Sequence, residues 1–245
     1  MTIRWVVFDA VGTLLTPHPS VAGIYHAVGQ EFGSVLSLDD VKSRFRRAFL
    51  ESEFCRSLPE EAWADPENFR TNERDEYRIW SAIVAAVLDD VGDAKTCFDD
   101  VFSRFEDVNS WQVLPGVEQG LSALQAAGFR LAVASNFDSR LNALLDGLPV
   151  FAAIERRVIS SEVAYRKPSL HFFRAAEKLM HASPGEILMV GDDLVNDIQA
   201  ARNAGWQAVR LVMREQGTSP ATGDDEIESI ADVRDWIHRH GKSPA

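Results

Sequence analysis

IRWVVFDAVGTLL, residues 3–15, is the stretch whose reading decides the fold. Its first half, Ile3 to Phe8, is a short run of Ile, Trp, Val and Phe bounded by a turn, which predicts a buried strand. Its second half is a Gly-Thr turn opened by Asp9. A carboxylate is thereby delivered to the C-terminal end of a strand, and in an open α/β sheet ligands bind in the crevice beyond those ends. Asp9 is the first candidate functional residue, as a nucleophile.

Outward from this stretch the pattern changes. Thr16 to Ser20, TPHPS, reads as a turn or hinge. From there to about Val108 the periodicity is helical. Val21, Ile24, Tyr25, Val28 and Phe32 fall near one face, Gly33 closes that segment, and Ser37 with Asp40 marks the start of a second helix. Pro59 and Pro66 punctuate a loop. A longer helix is predicted from about Asn68 to Val91, and a fourth from Ala94 to Glu106, with no strand anywhere in the block.

After Trp111 strands and helices alternate. Pro115-Gly116 opens a helix that ends at Gly128, and Phe129 to Ala134 is a buried strand ending at Ser135-Asn136. Asp138 can cap a helix through Leu145. Ala153 to Ile159, Ile187 to Val190 and Gln207 to Val212 read as strands, with helices at Ser169 to His181 and Leu194 to Ala204. Glu215 to Asp225 is a polar loop, and Ile227 to His240 a closing helix. Such alternation predicts an α/β fold, a Rossmann-like parallel sheet with helices on both faces. The expected division is a core of residues 1–15 and 109–245, with an inserted four-helix domain at 16–108.

Composition bounds the function. Thirty-seven acids against 25 bases give a net charge of -12, which disfavours nucleic acid as a partner. Two cysteines, Cys55 and Cys97, lie outside any metal-ligand spacing, and no apolar run approaches the roughly 18 residues that cross a bilayer. The expectation is a cytoplasmic protein, monomer or homodimer, with a small-molecule partner and no membrane.

The chemistry-bearing residues sit at the predicted strand ends: Asp9, then Ser135 and Asn136, then Asp192 and Asp193, with Lys167 before a helix start. Taken singly, a Ser after a strand is a turn residue and an Asp at a helix start is a cap. The sheet topology, however, brings all of these segments to one crevice. Asp9, Asp192 and Asp197 concentrate negative charge that a cation must offset, and hard oxygen ligands suit magnesium. Lys167 and the cation would neutralise phosphate oxygens, while the Ser135 hydroxyl and the backbone N–H groups near Gly12 and Thr13 would hydrogen-bond them. Asp9 could then attack phosphorus and form an aspartyl phosphate.

FDAVGTL, ASN, YRKP and GDDLVND, in that order, resemble the four motifs of the haloacid dehalogenase (HAD) superfamily. LPGVEQGLSALQAAGF and the helical insertion after the first motif are similar to its subfamily with a helical cap. The resemblance covers nearly the whole chain. It implies a Rossmann-like core with a mobile four-helix cap, Mg2+ dependence and phosphatase activity on small phosphorylated metabolites. Residue by residue it implies Asp9 as nucleophile, Ser135, Asn136 and Lys167 at the phosphate, and Asp192 with the Val11 main-chain carbonyl as metal ligands. Asp193 and Asp197 take supporting roles.

One position departs from the pattern. Most phosphatases of the family carry a second aspartate two residues after the nucleophile, where this chain has Val11. A valine transfers no proton, and general acid–base help is typically worth about 10²- to 10⁴-fold. Three readings follow: a metal-dependent phosphatase that is slow or restricted to good leaving groups; a dehalogenase-like or phosphonate hydrolase, the latter with Lys42 as a candidate Schiff base; or a binding or regulatory protein that keeps the fold. Arg44, Arg46, Arg47 and Trp63 are possible substrate contacts from the inserted helices.

Overall fold

The computed structural model describes residues 2–55, 58–213 and 225–240. Its centre is a six-stranded parallel sheet ordered β5-β4-β1-β6-β7-β8, made of β1 (Trp5–Phe8), β4 (Arg130–Ser135), β5 (Ile154–Ile159), β6 (Ile187–Gly191), β7 (Gln207–Leu211) and β8 (Glu226–Ile227). Strands β1 and β6 are buried at every position, as expected of central parallel strands covered on both faces. Val6, Phe8, Leu131, Val133, Leu188 and Val190 point to one hydrophobic cluster, and Trp5, Val7, Ala132, Ala134, Ile187 and Met189 to another. The period of two thus supplies both cores from one set of strands.

Helices α5 (Val117–Ala126), α6 (Arg140–Gly147) and α10 (Val233–His240) contribute to the first cluster. Helices α8 (Leu170–Met180) and α9 (Ala200–Asn203) contribute to the second, and the short α7 (Ser160–Val163) follows β5. The chain leaves β1 for β4 and β5 on one side and returns to β6 on the other. The order therefore reverses at β1, and the C-terminal ends of β1, β4 and β6 border one crevice.

The inserted block consists of α1 (Val21–Glu31), α2 (Leu38–Glu51), α3 (Glu73–Val87) and α4 (Ala94–Arg104). Tyr25, Val28, Val41, Ile79, Ile83, Val87, Phe98 and Val101 give these helices a hydrophobic cluster of their own. The Ser37–Asp40 signal forms the reciprocal capping box that starts α2. Trp63 and Phe69, from the 3-10 turns that precede α3, instead join the second cluster of the sheet.

Four expectations differ from what is observed. The helix expected from Asn68 begins at Glu73: Arg70 is extended and bridges Tyr165, and Asn72 caps α3 by accepting from the Arg74 and Asp75 amides. The hinge at Thr16 contains strand, since β2 (Leu15–Pro17) pairs antiparallel with β3 (Trp111–Val113). Leu194–Gln199 is a π-helical turn leading into α9. Finally, Glu226–Ile227 is not the start of the closing helix but an edge strand beside β7. The polar loop expected at Glu215 to Asp225 lies outside the described residues up to 224.

Candidate active site

Asp9 follows β1 directly, and its amide donates to the Val190 carbonyl at 2.9 Å, which continues the pairing to β6. The chain then turns so tightly that the Thr13, Leu14 and Leu15 amides converge on the Ala10 carbonyl at 3.3, 2.8 and 3.1 Å. Gly12 lies at φ +91° within this turn. A Cβ there would come within 2.7 Å of Asp192 Oδ2, so glycine serves both the conformation and the close approach of the two strand ends.

Lys167 is the centre of the site. Its ammonium donates to Asp9 Oδ1 at 2.8 Å, Asp197 Oδ1 at 2.5 Å and the Ala134 carbonyl at 2.9 Å. All three ammonium protons are thus used, and the residue is only 3% exposed. Burial pulls its pKa down, but Asp197 and Asp9 outweigh burial and hold the ammonium protonated well above the ordinary lysine range.

Asp9, Asp192 and Asp197 each offer a carboxylate oxygen within 4.8 Å of the others. Asp197 is 1% exposed, and burial pushes its carboxyl up to about 7, with Asp9 and Asp192 adding to the rise and Lys167 opposing it. Burial and Asp9 likewise raise Asp192, against the Thr13 hydroxyl that donates to its Oδ1 at 3.1 Å. Three carboxylates facing one ammonium leave negative charge uncompensated, and a hard divalent cation with oxygen ligands fits that donor set. A Cβ on Gly191 would lie 2.2 Å from Asp197 Oδ2, so glycine at the end of β6 makes room for the π-helical turn to return its aspartate.

The geometry reassigns several expected site residues. The exposed Asn136 spends its amide on the Lys167 backbone: Nδ2 donates to the Lys167 carbonyl at 2.9 Å and Oδ1 accepts from the Lys167 amide at 2.7 Å. It holds the lysine segment. The Gly12 amide donates to the Leu15 carbonyl at 2.9 Å, and with the Thr13 amide also used, neither N–H is available to a ligand. Among the described residues the amides of Ala10 and Val11 in this turn are without an acceptor, a feature set by turn geometry with no residue signal. The Ser135 hydroxyl, at the end of β4, likewise makes no hydrogen bond among the described residues. Asp193 is exposed and caps the π-helical turn, accepting from the Val195 and Asn196 amides at 2.8 Å. Asp197, expected in support, lies at the centre of the charge cluster. Val11 is half-buried and packs against the first hydrophobic cluster.

The residues suggested as substrate contacts disperse. Arg44 pairs with Asp89, Trp63 is buried with its indole N–H on the Leu58 carbonyl, and Lys42, Arg46 and Arg47 are exposed on α2.

A parallel sheet that reverses at β1, with paired carboxylates and a buried lysine at the reversal, defines a hydrolase of the HAD class. The haloacid dehalogenase-like hydrolase family model matches residues 3–205, and the chain belongs to that family. It is 27% identical over 213 residues to the haloacid dehalogenase-like hydrolase domain-containing protein 3 of Xenopus laevis, covering 85% of this chain and 84% of the relative. It is 29% identical over 208 residues to a phosphoglycolate phosphatase of Nitrosospira multiformis, covering 84% and 81%. Among solved structures, a HAD phosphatase from Thermococcus onnurineus superposes with a TM-score of 0.65 at 21% identity over 100% of both chains. The L-2-haloacid dehalogenase of Xanthobacter autotrophicus with covalently bound chloropropionic acid superposes with a TM-score of 0.70 at 18% identity, covering 98% and 99%. The last two show a shared fold.

Proposed function

We propose that this hydrolase is a magnesium-dependent phosphatase of small phosphorylated metabolites, restricted to substrates whose leaving group needs little protonation. The observation that carries the reading is the triad Asp9, Asp192 and Asp197, with oxygens within 4.8 Å and a single lysine to balance them. Asp9 and Asp192 would hold the metal with the Val11 main-chain carbonyl, and Asp197 would hold Lys167 in place. When bound, the cation supplies the positive charge that lets a phosphate dianion approach three carboxylates.

In this reading one Asp9 oxygen attacks phosphorus, the ester P–O bond breaks, and the leaving oxygen departs with its electron pair. Lys167 holds Asp9 ionised and offsets phosphoryl charge. The Ser135 hydroxyl and the Ala10 and Val11 amides donate to the phosphoryl oxygens. Water then attacks the phosphorus, the Asp9–phosphorus bond breaks, and the proton leaves with inorganic phosphate. No side chain at position 11 protonates the leaving oxygen, which limits alkyl esters. Residues 16–108 act in this account as a helical cap that closes over the crevice and excludes water.

Val11 also favours a second reading, a dehalogenase in which Asp9 attacks carbon and Lys167 alone balances it. That reading gives the acidic cluster nothing to do. A panel of phosphate esters, a phosphonate and a haloacid, each with and without magnesium, separates the two. Metal-dependent release of phosphate supports the phosphatase, and metal-independent release of halide overturns it.

A further inference from the structure

The ammonium of Lys167 bridges Asp9 and Asp197, yet the backbone that leads to it is held by the inserted block. The Arg166 amide donates to the Phe69 carbonyl at 2.9 Å, and the Thr71 amide donates to the Ala164 carbonyl at 3.2 Å. With the Arg70–Tyr165 bridge between them, these bonds make a short antiparallel ladder of residues 69–71 against residues 164–166. Asn136 grips the next peptide group, that of Lys167 itself, from the other side. The lysine segment is therefore fastened at once to the core and to the insertion.

Ala164, which closes α7, lies at φ +68°, in the left-handed region that alanine rarely occupies. Such a conformation persists where its surroundings over-determine it, and the Thr71 amide on the Ala164 carbonyl is one of those restraints. Each end of residues 69–71 is anchored in turn. Phe69 is packed in the second hydrophobic cluster. Thr71 is 3% exposed, and its hydroxyl donates to Glu76 Oε1 at 2.6 Å. Glu76 is equally buried, on α3, and burial pushes its carboxyl up while the Thr71 hydroxyl and the Arg166 guanidinium oppose the rise. A hydrogen bond to a buried carboxylate is among the stronger ones, and removing its donor leaves the acceptor unsatisfied at a cost. The path of residues 69–71 thus depends on the Thr71 hydroxyl.

We propose that Thr71, fixed by Glu76, is a positioning residue for Lys167: it sets the path of residues 164–166 and, through them, the place of the ammonium between Asp9 and Asp197. The inserted block then contributes to the reaction by holding the lysine as well as by covering the crevice. The proposal rests on the phosphatase reading for its effect on turnover, and on the ladder alone for its effect on the lysine segment.

The test compares the wild-type full chain with Thr71→Val, which keeps the shape and removes the hydroxyl, and with Thr71→Ser, which restores the hydroxyl. Val41→Ala is the control, since it removes core volume from the inserted helices away from the ladder. Hydrogen exchange read by mass spectrometry should show the amides of residues 164–167 exchanging about tenfold faster in Thr71→Val, and at the wild-type rate in Thr71→Ser and Val41→Ala. With magnesium, kcat/KM for p-nitrophenyl phosphate should fall about tenfold or more in Thr71→Val and be retained in the other two, as expected when a reacting group is misplaced from a distance. Thermal melting checks folding, and if Thr71→Val does not fold, Thr71→Ala takes its place. Faster exchange confined to residues 69–90 would restrict Thr71 to the inserted block and overturn the proposal. So would turnover that survives faster exchange at residues 164–167, a Thr71→Ser no better than Thr71→Val, or an equal loss of turnover in Val41→Ala. A wild type without magnesium-dependent phosphate release sinks the phosphatase reading, and exchange at residues 164–167 then decides the positioning by itself.

Discussion

Val11 and Asp197 carry the sharpest predictions about single residues. Restoring a carboxyl two residues after the nucleophile should raise turnover of alkyl phosphates by about 10²-fold in Val11→Asp, within the range of general acid–base help. A variant that binds magnesium normally and shows no gain in steady-state kinetics contradicts the account of the missing acid. Asp197 gives a pH dependence. Its carboxyl, at about 7 in the folded chain, lies above the ordinary aspartate value of about 4. The metal-free folded state therefore binds a proton that the unfolded state has already released. Its contribution is fully present below about pH 4 and is lost as pH rises through about 7. Metal favours the ionised cluster, so the rise in melting temperature on adding magnesium should grow between pH 5 and 8. A magnesium effect that is flat or falls over that range would count against a carboxylate metal site. Asp9, Ser135 and Asp192 were legible in the sequence because strand ends fix their placement, and Lys167 because it stands just before a helix start. The roles of Asn136, Gly12 and Thr13 were not, because which way an amide points depends on a turn's hydrogen bonds and not on its residue types.

The decisive elements are the strand ends and the loop that joins the inserted helices to the sheet. Five strands, β1, β4, β5, β6 and β7, were legible from short apolar-rich runs between turn signals, since buried parallel strands need little else to announce them. β8 was missed because a two-residue edge strand carries no periodicity, and the start of α3 because Arg70 pairs with Tyr165, far along the sequence. α3 also supplies a contact that no local pattern foretells. Glu73, in its first turn, accepts from the Ser139 amide at 3.0 Å and the Ser139 hydroxyl at 2.9 Å, and also from the Ser161 hydroxyl. One carboxylate thus ties the inserted block to the loop after β4 and to α7 after β5. Glu73→Ala should lower the melting temperature by several degrees, from the loss of about 1–3 kcal/mol in charged hydrogen bonds. Calorimetry should show its magnesium affinity unchanged, since Glu73 touches none of the three clustered aspartates. An unaltered melting temperature would mean that this tie contributes nothing to holding the block.

At the scale of the whole molecule, the sheet order places Asp9, Lys167 and Asp192 around one reversal point, and the inserted helices keep a hydrophobic cluster of their own. Among the described residues no helix is long and apolar enough to cross a membrane. The α/β class was legible because strands and helices alternate after Trp111, whereas the packing of Trp63 and Phe69 against the sheet, rather than within the helical block, was not. It depends on a loop whose aromatic residues have no periodic partners. The central claim is that Asp9 attacks phosphorus in a site completed by a divalent cation. Its most direct test is the hydrolysis rate of p-nitrophenyl phosphate by the wild type with magnesium, the wild type in chelator, and Asp9→Asn with magnesium. The account predicts phosphate release in the first sample only, and equal rates in all three would contradict it.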